Sequence, residues 1–144
     1  MCSRVCLLGS ALVLAVGVLI GCSQQVSPPK TVPVSGRVML NGKGVPGIRV
    51  TMHPEFDMGP IKWGVVGDTG PNGTFIVGTG APGNGAPHGA YVVTLTKPGV
   101  GTDPKYGIEI EIDEFEGKYS DPAKSDWKVI VRDGTNVLEP FQLN

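Results

Sequence analysis

Glu109, Glu111 and Asp113 occupy alternate positions, with Glu114 and Glu116 just beyond, in the most acidic stretch of the chain. On an extended backbone, alternate side chains leave one face about 7 Å apart, near enough for carboxylate oxygens to share a calcium ion. The plainer reading is a solvated strand face whose charge discourages edge pairing, so these three are weak metal candidates. His53 and His88 lie in separate segments with no third ligand at zinc spacing. Ser35, Ser120 and Ser125 lack a nucleophile elbow, and neither histidine has a base-orienting partner nearby in sequence. No catalytic residue, enzyme activity or cofactor is expected. Among the larger aromatics, Tyr91 and Trp127 begin apolar alternations and belong to a core, whereas Trp63, Tyr106 and Tyr119 are free to form a ligand surface that stacks sugars.

Two motifs fail on context. Gly78, Gly80 and Gly83 match G-x-G-x-x-G, but Asn84-Gly85-Ala86-Pro87 follows where a helix must begin to meet a pyrophosphate. From Asp68, the fifth and sixth places hold Asn72 and Gly73 as in a calcium loop. Gly70 at the third and Thr79 at the twelfth leave too few oxygen donors, so this is a β-turn. A net charge of −1, with scattered Lys and Arg, argues against a nucleic-acid partner.

The amino terminus reads as an address. Arg4 precedes an apolar run from Val5 to Ile20, about 16 residues and short of the roughly 20 that a spanning helix needs, followed by polar Ser23-Gln24-Gln25. Residues 1–21 are therefore a helical signal peptide. Leu19-Ile20-Gly21-Cys22 resembles the bacterial lipobox, which implies cleavage before Cys22 and acylation of that cysteine with palmitate-like chains. The other cysteines, Cys2 and Cys6, leave with the signal, so the mature chain keeps a single cysteine, at its start. Each buried methylene contributes about 0.8 kcal/mol, so several acyl chains hold a protein where one releases it. Residues 22–31, rich in Ser, Gln and Pro, form a tether of about 25 to 30 Å.

The body that must position any site is β-structure. Gly and Pro number 22 and 13 of 144 residues, but valine, isoleucine and leucine recur at every second place. Val32, Val34, Val38 and Leu40 share one parity, as do Ile48, Val50 and Met52. The turn cluster between them, residues 41–47, predicts a β-hairpin. Further inward sets are Phe75 and Val77; Tyr91, Val93 and Leu95; Trp127, Val129 and Val131; Phe141 and Leu143. Ile108, Ile110 and Ile112 alternate with the acidic residues, as a strand or an extended insert. Residues 98–104 read as loop, and 133–136 as a hairpin turn before a last strand over 137–143.

The PVSGRV strand, the NGKGVPG turn, the strand ending HPE, the DTGPNGTF turn, the GAPHGAYVVTL strand and the KYSDPAKSDWKVIV ending together resemble the carboxypeptidase regulatory-like, transthyretin-like domain of small bacterial lipoproteins. The resemblance covers nearly all of residues 32–144. It implies an all-β, two-sheet Greek-key sandwich of about seven strands, with no catalytic module attached. The expectation is a lipid-anchored, non-catalytic protein of the cell envelope, facing periplasm or exterior and acting as a binding or structural module. The alternative is a carbohydrate-binding accessory protein. Expected partners are the membrane, through the lipid, and an envelope glycan or protein.

Overall fold

The computed structural model describes residues 27, 29–60 and 62–144. The signal peptide, the lipobox residues Leu19, Ile20, Gly21 and Cys22, and most of the tether lie outside the described residues. Every long element is a strand; the one helical piece is a 3-10 turn, Pro122–Lys124.

Strand β1 (Val34–Leu40) organises the first sheet. Along one edge it pairs in parallel with β11 (Asn136–Val137) and then β12 (Phe141–Leu143). Along the other it pairs antiparallel with β5 (Thr74–Ile76) and then β2 (Lys43–Gly44). The second sheet is antiparallel throughout, in the order β10 (Lys128–Val131), β7 (Gly89–Thr96), β3 (Arg49–Pro54), β4 (Val65–Asp68) and β6 (Gly78–Thr79). Strands β8 (Pro98–Thr102) and β9 (Glu109–Asp113) pair only with each other.

The inner faces of the two five-stranded sheets share one apolar core, a sandwich-like arrangement. Val34, Val38, Phe75 and Phe141 come from the first sheet, and Val50, Met52, Val65, Tyr91, Val93, Leu95 and Val131 from the second. Val50 and Met52, and Tyr91, Val93 and Leu95, alternate with residues on the other face, as the pleat demands. The Tyr91 hydroxyl is buried with its ring and donates to the Pro87 carbonyl at 2.7 Å, which satisfies its one polar group.

Six expectations change. The turn after β1 does not return to form a long hairpin: β1 and β3 belong to different sheets. Asn41 and Gly42 take positive φ (50° and 76°) and turn only the two residues of β2 back onto β1. Pro46 and Gly47 then carry the chain across to the second sheet. Residues 98–104 are not a loop through their length, because Pro98 starts β8, which pairs with β9, and its glycines leave room for the neighbouring isoleucines, a Cβ on Gly101 standing 2.8 Å from Ile112 Cγ2. Residues 133–136 join β10 to β11 across the two sheets, so they close no hairpin. The last strand is broken at Leu138-Glu139-Pro140, where proline has no N–H for the ladder. These breaks divide the described residues into twelve short strands where about seven longer ones were expected. Leu40, expected inward, is 39% exposed at the open end of β1.

Burial also exceeds alternation. Val92 and Thr94, on the outer face of β7, are covered too, because β7 is flanked on both edges and His53 Nε2 lies 2.8 Å from the Thr94 hydroxyl.

Register gives the molecule two distinct ends. Val32 bridges Ala86, and Gly89 at the start of β7 pairs with Val131, so the chain leaves its tether at the end that holds 84–89 and 131–136. Leu40 with Leu143, Arg49 with Thr96, and the whole β8–β9 ribbon mark the opposite end.

Candidate functional site

The three aromatics expected to form a ligand surface stand in three places. Trp63 is half-buried beside β4 and the edge strand β6, its ring over Gly80, where a Cβ would lie 2.4 Å from Trp63 Cε3. Tyr106 is exposed at the tip of the β8–β9 ribbon, in a turn that Asp103 holds by accepting from the backbone N–H groups of Lys105 and Tyr106. Tyr119 is half-buried beyond the β7–β10 side of the second sheet, its carbonyl accepting from Leu95 N–H at 3.0 Å.

The acidic candidates separate in role. Glu109 and Glu111 project from one face of β9 beside Val100 of β8. Asp113 Oδ1 accepts from Lys97 N–H and Phe115 N–H at 2.8 and 3.0 Å, and Oδ2 accepts from Gly117 N–H at 3.1 Å. That carboxylate ties down the base of the ribbon and has little left to offer an ion. Among the described residues no group of three or more His, Cys, Asp or Glu is placed to hold a metal. The Gly-rich stretch after Val77 folds on itself: Asn84 accepts from Thr79 N–H at 2.6 Å and donates to the Thr79 carbonyl at 3.0 Å.

One of these residues belongs to a more developed site. Tyr119 ends an aromatic row that starts in the core. Phe75 stacks on Phe141 at 6.0 Å between centroids; Phe141 meets Trp127 at 5.6 Å, Trp127 meets Tyr119 at 5.5 Å, and Tyr119 meets Phe115 edge-on at 5.3 Å. Where the row reaches the surface it lines a cleft of about 340 Å³ with Lys118, Asp121, Lys124, Ser125, Asp126, Gln142 and Asn144. Clefts that bind small molecules begin at about this size, with apolar walls and a few placed polar groups.

Local chemistry sets each wall. Asp121 caps the 3-10 turn by accepting from Ala123 N–H at 2.9 Å, and Pro122 supplies its first residue. Ser125 donates to the Val93 carbonyl and accepts from Trp127 N–H at 3.2 Å, fixing the entry of β10 and thereby the indole. The Tyr119 hydroxyl donates to the Asn144 carbonyl at 2.6 Å and accepts from Asn144 N–H at 3.2 Å, which joins the end of β12 to the segment after β9. Lys118 Nζ also bonds that carbonyl and sits 5.0 Å from the Tyr119 ring centroid.

Sequence reasoning found Tyr119 and assigned Trp127 to the core, but missed the cleft. Trp127 opens an alternating run, and nothing in that alternation says that β10 is an edge strand and that the residue before it is half-open. Gln142 and Asn144 carry no local signal, because β12 brings them to the site by pairing with β1.

Among the described residues no helix is long and apolar enough to cross a membrane. No family model and no curated protein matches the chain. Among solved structures it is similar to a 9R-lipoxygenase from Cyanothece PCC8801, at 14% identity and a TM-score of 0.44, covering 79% of this chain and 16% of that one. A likeness so distant carries no argument about activity.

Proposed function

We propose that this chain is a lipid-anchored, non-catalytic module of the cell envelope, a Greek-key sandwich of the transthyretin-like kind that binds with the end remote from its anchor. The observation that carries the reading is the opposition of the two ends. The tether enters beside Ala86, while the aromatic cleft and the β8–β9 ribbon stand toward the other end. With a tether of about 30 Å and a strand β7 of eight residues, about 25 Å long, the remote end reaches on the order of 50 Å from the bilayer. The lipobox-like Leu19-Ile20-Gly21-Cys22 supports the anchor.

The test is detergent-phase partitioning of the protein made in a bacterium with lipoprotein processing. The natural chain enters the detergent phase, and Cys22→Ser stays in the aqueous phase or keeps its signal. Equal partitioning of the two removes the anchor. The second reading, a carbohydrate-binding accessory protein, is favoured by the half-open Tyr119–Trp127 pair.

A further inference from the structure

We infer that the Tyr119–Trp127 cleft is a binding site for an uncharged sugar, a mono- or disaccharide unit of an envelope glycan; this rests on the carbohydrate-binding reading and gives it a place and a ligand class. A pyranose ring has an apolar face of C–H groups and a rim of hydroxyls. It therefore needs an aromatic surface bordered by groups that both donate and accept.

The cleft supplies both. Trp127 and Tyr119 line it, tilted 36° to each other; Lys118 covers part of the Tyr119 ring, so the half-open Trp127 indole is the surface left for a sugar face. Trp127 Nε1 has no protein acceptor among the described residues, and no buried side-chain nitrogen or oxygen there lacks a partner, so the indole N–H opens to solvent. The Gln142 amide and the Asp126 carboxylate are exposed at the rim and make no hydrogen bond within the described residues, while the Asn144 amide stands beside them. An amide offers a donor and an acceptor to neighbouring hydroxyls, and a carboxylate accepts from two at once.

Charge selects the class. Lys124 faces Asp121 at 3.7 Å, and Lys118 is held on the Asn144 carbonyl above the Tyr119 ring. The side-chain charges on the walls balance, two lysines against two aspartates, so they favour neither an anionic nor a cationic sugar.

The test uses the full processed protein in detergent micelles with Trp63→Phe, which leaves Trp127 as the sole tryptophan. It is titrated with maltose, cellobiose and N,N'-diacetylchitobiose, and with glucuronic acid and glucosamine as charged probes. The expected result is a saturable change in Trp127 emission with at least one of the three neutral disaccharides and none with the charged sugars. Gln142→Ala with Asp126→Ala, both at exposed positions, weakens that binding about tenfold at unchanged Tm, as loss of one or two ordinary hydrogen bonds requires. No saturable change with any neutral disaccharide overturns the site, and so does binding unaffected by the double substitution. Tighter binding of glucuronic acid or glucosamine overturns the ligand class. If the titration fails while partitioning still depends on Cys22, the cleft falls and the anchored module stands; the reverse pattern keeps the sugar site and removes the anchor.

Discussion

Strands β7 and β9 alternate equally cleanly, Tyr91-Val93-Leu95 in one and Ile108-Ile110-Ile112 around the other, yet their fates are opposite. Tyr91, Val93 and Leu95 have no exposed surface, whereas the three isoleucines are 58, 37 and 39% exposed. Strand β7 has a neighbour on each edge and the first sheet across its face. Strand β9 has β8 on one edge, where the partners of Ile112 and Ile110 are Gly99 and Gly101, which have no side chains to cover them. Alternation states which side chains share a face. Whether that face is covered depends on what the rest of the chain places over it.

Cutting into β7 is the largest break. Leu95→Ala should cost about 2 to 5 kcal/mol in denaturant unfolding, the loss of transfer energy plus a cavity. A smaller loss at Leu95 than at Ile110 would invert the comparison.

Gly67 tests how closely the sheets approach. A Cβ there would stand 2.6 Å from the Ile76 carbonyl oxygen, a backbone atom with little freedom to move, so Gly67→Ala should destabilise by about 1 to 3 kcal/mol. Tyr91→Phe leaves the buried Pro87 carbonyl without its donor and should cost about 1 to 3 kcal/mol at neutral pH. Burial pushes the Tyr91 hydroxyl up to about 12, above the ordinary value of 10.0. Its contribution is therefore complete below pH 10 and lost as pH rises toward 12, and an alkaline unfolding series should show a shallower decline in Tyr91→Phe.

On the ribbon, Ile110→Ala should change stability by less than about 1 kcal/mol, because much of its surface already meets water. A loss comparable to that of Leu95→Ala would mean that the ribbon is part of the core. The smallest effect belongs to His53. Burial lowers its pKa below 6.5, so the neutral ring is favoured in the folded protein. That stability is present above pH 6.5 and falls away as pH drops through the lower folded value. His53→Gln should flatten the acid limb of a Tm series between about pH 7 and 5.

The comparison also explains what was readable. The inward sets at Val34 and Val38, at Val50 and Met52, and at Phe75 and Val77 were legible, because a pleat points alternate side chains to opposite faces whatever surrounds it. The partners of each strand were not. Asn41-Gly42 looked like the tip of a long β1–β3 hairpin, but Pro46-Gly47 sends the chain to the other sheet four residues later. In the same way Pro98-Gly99-Val100-Gly101 looked like loop, although glycine and an edge proline pair well beneath bulky isoleucines.

Of the candidate site, only Tyr119 was read as free to meet a ligand. Trp127 was read as core, and the structure finds it both packed on Phe141 and open toward the cleft.

By itself the sequence determined the all-β character and the parity of nearly every strand, since each depends on near neighbours along the chain. Tertiary structure alone decided that β1 and β3 lie in different sheets, that β8 and β9 stand apart from both, and that Trp127, Gln142 and Asn144 meet Tyr119. Those are pairings between distant residues, settled by which strand edges and apolar faces find partners once the whole chain competes for them.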